Sequence, residues 1–176
     1  MTKVNTFIKM NSKLLDTVDD HWLFSEFSEY VEELMGENWH IPTNVELLEG
    51  VPQSAKNAVY AWSFHCTASS HGDITTNLFN NDTITDENLL TNLKMMQEVG
   101  CYELAERYES ALKLASLDKN FIKLNHEQEK YYNLITSEKY DNFKAIDSDL
   151  SFFINEDFSC KVANYIRRHK EELFEL

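Results

Sequence analysis

Apolar residues recur at helical spacing along much of the chain. Between positions 22 and 35 they form one stripe made of Leu23, Phe27, Tyr30, Val31 and Leu34. This spacing is typical of a helix that buries a single side. Glu26, Glu29 and Glu33 fall on the opposite side, and Gly36 is the residue type that ends many helices. The pattern predicts a helix with one apolar and one acidic face.

Five further segments are predicted to be helical. Residues 53–68 contain the run Ala58-Val-Tyr-Ala-Trp-Ser-Phe, which is apolar nearly all round and predicts a buried central helix, although its composition also permits a strand. Residues 86–98 form one predicted helix, which Gly100 ends, and residues 101–116 form the next. With a single glycine between them, the two helices are predicted to be an antiparallel hairpin. The last two helices are expected at 121–136 and from Phe158 to about Phe174.

Irregular segments are expected between these helices. Pro42, Gly50 and Pro52 predict a connection over 38–52, and a polar, turn-rich composition predicts another over 69–84. A looser acidic segment is expected at 141–157. With only four glycines and two prolines, a β-sandwich or a Rossmann fold is disfavoured. The chain of 176 residues is therefore predicted to be all-α, an irregular bundle of about six to eight helices in a single domain.

Within this single domain we distinguish an acidic N-terminal helical part, 1–52, from a helical core, 53–176. The net charge is −14, which disfavours direct binding to nucleic acids and to anionic membranes. Ten acidic residues lie between Lys13 and Lys56 with no base among them. This stretch is either a solvated face that keeps the protein soluble or a surface that binds a basic partner. The candidate binding residues are Asp16, Asp19, Asp20, Glu26, Glu29, Glu32, Glu33 and Glu37, with Glu46 and Glu49 completing the ten.

Motifs for catalysis or metal binding are mostly missing. There is no nucleotide-binding glycine loop, and the pair His126-Glu127 lacks the second histidine of a zinc protease. The best candidate is His65-Cys66 with His71-Gly-Asp73, which could form a thiolate–imidazole pair or part of a metal site. In the alternative interpretation, Cys66 and Phe64 pack in the core and His71 lies in a turn. We expect no catalytic residue, no metal and no cofactor.

Cysteine usage bears on the compartment. Cys66, Cys101 and Cys160 are widely spaced and form no CxxC pair, so a disulfide framework is not expected. The first residues lack the apolar stretch of a signal peptide, and no stretch approaches the roughly 20 apolar residues of a membrane span. These features predict a soluble cytoplasmic protein.

The order of several motifs resembles a bacterial family of small acidic helical proteins whose best-known member is a dimeric DNA mimic. The corresponding features here are His71-Gly72-Asp73, Asn80, Val99-Gly100-Cys101, Ala105 to Leu112, Ile146-Asp147 to Phe152-Phe153, and Tyr165-Ile166-Arg167-Arg168-His169. The resemblance covers about residues 53–172. Gly72 alone represents the family's paired glycines, and Asp73 stands in place of an aromatic residue. The resemblance implies an all-helical fold, no catalysis, a homodimer and a DNA-binding protein as partner.

Charge and resemblance together predict a non-enzymatic protein that binds a basic surface, as a DNA mimic does. The main alternative is an immunity or antitoxin-like protein that neutralises a toxin or nuclease, because such proteins are also often acidic. An enzyme that uses Cys66 and His71 is a third and more distant interpretation.

Overall fold

Helices form where the apolar residues recur at helical spacing. The computed structural model describes residues 7–35, 50–69, 86–117, 145–146, 148–149 and 157–175. Within these residues the helices are α1 (Lys13–Thr17), α2 (Asp20–Met35), α3 (Gln53–Ser69), α4 (Asp86–Val99), α5 (Tyr102–Leu117), α6 (Ser159–Arg168) and α7 (Lys170–Leu173). Two strands, β1 (Met10–Asn11) and β2 (Phe174–Glu175), have two residues each. The all-α prediction is confirmed.

The core lies where α2, α3 and α6 contact one another. Leu23, Phe27 and Val31 of the predicted stripe are fully buried. Phe24, which the prediction does not include, is fully buried as well. Phe24 packs edge-on against Phe158 with ring centroids 6.0 Å apart. Burying one such large apolar side chain stabilises the fold by about 1.5–3 kcal/mol. The same stripe that predicts α2 therefore holds it against the other two helices.

Helix α3 is the central element that the sequence predicts. It contacts α2 on one side, α4 on another, and α6 and α7 as well. Three alanines spaced three residues apart, Ala55, Ala58 and Ala61, are fully buried, and Phe64 is 2% exposed. Small side chains in this arrangement allow the neighbouring helices to approach closely, since interhelical distance depends on the residues at the contact. The strand that the composition of this segment also permits does not form.

Helices α4 and α5 make the predicted hairpin. Gly100 has φ = +88°, a left-handed conformation that glycine adopts without steric cost. The N–H groups of Gly100 and Cys101 donate to the carbonyls of Gln97 and Met96, at 3.2 and 2.8 Å, which satisfies the end of α4. Asn92 of α4 donates a hydrogen bond of 3.4 Å to the Tyr108 hydroxyl of α5. The two residues are equally far from Gly100 in the sequence. The two helices are therefore antiparallel.

The C-terminal segment differs from the single helix predicted up to about Phe174. Helix α6 ends at Arg168, His169 interrupts the helical backbone with ψ = 18°, and α7 adds one turn before the strand. Phe174 is extended, pairs in parallel with Met10, and is 1% exposed. Its ring packs against Phe27 at 5.4 Å. The helix ends early because Phe174 reaches the core from an extended backbone.

The N-terminal segment is held by contacts that the hydrophobic pattern does not reveal. The Tyr30 hydroxyl donates to the Ile8 carbonyl at 2.9 Å, and Lys9 Nζ donates to the Glu171 carbonyl at 2.6 Å. The Tyr30 bond joins the N-terminal segment to α2, and the Lys9 bond, with the strand pair, joins it to the C-terminal segment. The predictions for Gly36, for 69–84 and for a helix at 121–136, and most of those for 38–52 and 141–157, lie outside the described residues.

Candidate protein-binding face on helix α2

The side of α2 that points away from the core carries a row of acidic residues. Glu26, Glu29 and Glu33, which we call the acidic face, lie opposite the buried stripe; Glu29 and Glu33 are exposed and Glu26 is half-buried. Their spacing of three and four residues places successive carboxylates about 4.5 and 6 Å apart along the helix axis. In the part of the chain that the structure describes, none of the three forms an ion pair with a base. Three negative charges thus face solvent in one row.

Two further side chains define the beginning of this face. Asp19 accepts a hydrogen bond of 3.0 Å from the N–H of Trp22, so its carboxylate caps the N-terminus of α2. Trp22 is 56% exposed, an unusual state for an indole, and precedes Glu26 by one helical turn. The charge pattern that points to the acids does not select Trp22. Its position at the start of an acidic row, outside the apolar stripe, is the signal that could have identified it.

Two other predicted binding residues are turned toward bases of the same chain. Asp20 forms an ion pair with Arg167, and both side chains are about one-third exposed. Asp16 lines an open cleft of about 400 Å³ together with Ser12, Leu15, Arg167 and Lys170. The sequence between Lys13 and Lys56 contains no base, but the C-terminal helices bring two bases to these acids in space. Asp16 and Asp20 therefore have bases of the same chain near them, unlike the three residues of the acidic face.

Glu32 occupies a third kind of position, on the flank of α2 beside α3. It is half-buried, and burial, followed by the charge of Glu29, raises the pKa of its carboxyl above the ordinary value. Burial and the nearby charge of Glu32 in turn raise the pKa of the Cys66 thiol. Glu37, the remaining candidate, lies outside the described residues together with Glu46 and Glu49.

His65 and Cys66, the candidate residues for catalysis or metal binding, lie in different surroundings. Cys66 is exposed rather than packed in the core, which corrects the alternative interpretation, whereas Phe64 is buried as that interpretation expects. A raised pKa keeps the thiol protonated, which is the opposite of what a nucleophilic cysteine needs. His71 and Asp73 lie outside the described residues.

His65 belongs to an aromatic cluster that the sequence does not predict. Its imidazole stacks on Trp62 at 5.8 Å and on Phe158 at 6.2 Å, measured between ring centroids. The edge of Phe24 and the ring of His21 approach it at 6.0 and 6.5 Å. These rings come from α2, α3 and the residue before α6, so the cluster sits where the three core helices meet.

The remaining observations concern the cysteines, groups of metal-ligand residues and the apolar character of the helices. All three cysteines are free, and burial raises the pKa of the Cys101 thiol to about 12. Across the residues that the structure describes, no group of three or more histidine, cysteine, aspartate or glutamate side chains is placed to hold a metal ion. No helix in the described ranges combines the length and apolar character needed to cross a membrane.

The comparisons with known proteins identify no family for this chain. Neither protein-family models, nor curated proteins, nor solved structures match it. The resemblance to small acidic DNA-mimic proteins therefore stays a prediction from the sequence.

Proposed function

We propose that this protein is a non-enzymatic binding module whose acidic face on α2 occupies the basic surface of a DNA-binding protein. The observation that carries the proposal is the separation of the acids into two groups. Asp20 pairs with Arg167, and Asp16 lines a cleft with Arg167 and Lys170, whereas Glu29 and Glu33 of the acidic face are exposed. An acid paired with a base contributes to folding, whereas the row that has no base beside it among the described residues can meet a partner.

The geometry of the row suits a surface that normally binds DNA. Each DNA strand presents one phosphate about every 3.4 Å along the helix axis. Carboxylates that rise by about 4.5 and 6 Å along α2 give a comparable line of negative charge on a rigid support. A groove lined by Lys and Arg, built to contact phosphates, would meet acceptor oxygens at similar intervals.

Trp22 adds a second kind of contact to the proposed face. An exposed indole can accept the guanidinium of an arginine on its ring, a contact worth about 0.5–1 kcal/mol at exposed sites and more when desolvated. Trp and Arg are also the residues that most often dominate protein interfaces. Because Trp22 is next to the acidic face, an Arg-rich partner would find charge and stacking together. The absence of a catalytic role and of a cofactor, the homodimer, and the cytoplasmic location are proposed from the sequence alone.

The proposal is tested by removing the charges of the acidic face without changing the size of the side chains. Glu26→Gln, Glu29→Gln and Glu33→Gln together remove three charges and leave helix propensity nearly unchanged. The control is Glu103→Gln, Glu106→Gln and Glu109→Gln on α5, where all three residues are exposed and Glu109 pairs with Lys113 at 3.1 Å. Both variants have the same net charge, so a difference between them reports position rather than total charge.

The binding partner is first captured from the native host and identified by mass spectrometry. A DNA-binding protein as the captured partner supports mimicry, and a toxin or nuclease supports the immunity alternative. With that partner, the α2 variant should bind more weakly at low salt than either the wild type or the α5 control. The expected loss is mainly in association rate, because rim charges steer the encounter of two proteins. Equal affinities of the two variants would contradict the proposal.

A further inference from the structure

We propose that His65 is a pH-sensitive switch that ties the packing of α2, α3 and α6 to the protonation of one imidazole. The first observation is the geometry of its site. Trp62 and Phe158 lie nearly parallel to the imidazole, with interplanar angles of 25° and 9°, and the residue as a whole is half-buried. Phe24 closes a third side with its edge. A neutral imidazole fits this cluster as one more aromatic ring.

The second observation concerns the polar atoms of the imidazole. Nδ1 of His65 is buried and has no hydrogen-bond partner among the described residues. In the protonated ring both nitrogens carry a hydrogen, and Nδ1–H would then be a buried donor of a charged group with no acceptor. An unpaired charged donor is costlier to bury than an unpaired neutral atom, because it loses stronger hydration. The site therefore accepts the neutral form and opposes the charged one.

The charged and titratable groups around the cluster do not offset this cost. From α2, His21 faces the ring with centroids 6.5 Å apart, and its own protonation would add a like charge. In the segment that supplies Phe158, the titratable groups nearest in sequence to that ring are Asp157 and Cys160, and Asp157 is bound to Lys161 at 2.8 Å. On α3 the adjacent Cys66 keeps its proton. Burial, followed by the charge of His21, lowers the pKa of His65 below its ordinary value.

The aromatic faces exert one opposing effect. They attract cations, so Trp62 and Phe158 would favour the imidazolium if they approached it closely enough. Their centroids lie at 5.8 and 6.2 Å, which is near the outer limit of about 6 Å for that attraction. We infer that the cost of the unpaired Nδ1–H is larger, and that protonation expels the ring from the cluster. Expulsion of the ring removes the contacts that His65 of α3 makes with Phe158 and with Phe24 of α2, and leaves the contacts of Phe64 with Phe158 and of Trp62 with Phe24.

The direction of the pH effect follows from these groups. The folded protein holds His65 with a lowered pKa, so the unfolded chain binds more protons in the window just below the ordinary value of 6.5. Stability that His65 contributes is present above pH 6.5 and is lost as the pH falls toward the folded-state pKa. Glu32 acts in the opposite direction, since its raised pKa favours the folded state as its carboxyl becomes protonated. A comparison of variants that all retain Glu32 removes its contribution.

The test measures unfolding by urea between pH 7.5 and pH 5 for the wild type, His65→Phe and His65→Asn. Neither variant can be protonated at this position, and Asn keeps a polar group near the place of Nδ1. We expect wild-type unfolding to take up as much as one proton more than unfolding of either variant. The control His169→Gln, a half-exposed histidine beside Glu172, should keep the wild-type slope. Parallel pH profiles for all four proteins would overturn the proposal.

Two measurements on proteins that retain His65 keep the proposal testable if the variants fold poorly. Histidine ring signals in NMR spectra of the wild type give the pKa of His65 directly, and a value below 6.5 is expected. In a Trp22→Phe, Trp39→Phe background, Trp62 is the one remaining indole, and its fluorescence should change with the same titration. A His65 pKa at or above 6.5 would mean that the aromatic faces hold the imidazolium, and the proposal would then be wrong.

Discussion

Buried polar side chains fix the relative position of α3 and α6. Asn57 is 3% exposed, and its Nδ2 donates to the Tyr165 hydroxyl at 2.9 Å. Gln53 Nε2 donates to Asn57 Oδ1, also at 2.9 Å, so both ends of the buried amide are satisfied. Burial raises the pKa of Tyr165, so the hydroxyl that accepts this bond stays neutral at any ordinary pH. A hydrogen-bonded chain of three side chains thus joins the two helices.

Tyr165→Phe should remove the acceptor of the Asn57 amide while retaining the aromatic ring. The buried Nδ2–H would then lack its partner, and leaving a buried donor unsatisfied costs about 1–3 kcal/mol in the free energy of unfolding. Urea denaturation of the variant should show this loss. Tyr102→Phe is the control, because Tyr102 is 65% exposed and its substitution should change stability little. If both variants are as stable as the wild type, the bond to Asn57 contributes nothing.

At the scale of the elements, regular helices are predictable from the sequence and the C-terminal turn is not. The helical stripes of α2 and α3 and the stop at Gly100 depend on local residue types, which the sequence displays directly. The C-terminal turn after His169 ends at Phe174, which packs against Phe27 of α2, a residue far away in the sequence. A strand of two residues is too short to produce an alternating pattern. Elements set by distant contacts therefore cannot be predicted from local sequence patterns.

The hairpin of α4 and α5 offers a test of local control by Gly100. A β-carbon at this position would meet no atom within 4 Å, so the cost of Gly100→Ala comes from the backbone alone. At φ = +88° that cost is about 1–2 kcal/mol for an L-residue with a side chain. Thermal unfolding should show a lower Tm for Gly100→Ala and a smaller loss for Gly100→Asn, since Asn tolerates left-handed conformations better. Equal Tm values for Gly100→Ala and the wild type would contradict this account.

At the scale of the molecule, folding changes what the charge pattern means. The sequence contains ten acids and no base between Lys13 and Lys56, and three of these acids form the acidic face of α2. It does not reveal that Asp20 meets Arg167, because the two residues are 147 positions apart. It also does not separate Glu32, turned toward α3, from Glu29 and Glu33, turned to solvent. Helical periodicity supplies that separation, because the apolar stripe in the sequence already predicts which side of α2 is buried.

Salt should therefore act on folding and on binding in opposite directions. At about 0.01 M ionic strength charges interact over roughly 30 Å, and at 0.15 M over about 8 Å. Like charges three or four residues apart destabilise a helix by about 0.2–0.5 kcal/mol per pair, and α2 carries several such pairs. Adding NaCl should raise the Tm of the wild type, since screening relieves repulsion in a chain of net charge −14.

The variant with Gln at 26, 29 and 33 shows whether α2 is the source of this effect. Its Tm at low salt should exceed that of the wild type, and its further rise with NaCl should be smaller, because three of the repelling charges are already gone. Over the same range of salt, the wild type should lose affinity for its partner while it gains Tm. A Tm that falls with added NaCl would mean that ion pairs such as Asp20–Arg167 outweigh the repulsion. If added NaCl raises the Tm and lowers the affinity for the partner, the acidic face destabilises the fold and stabilises the complex.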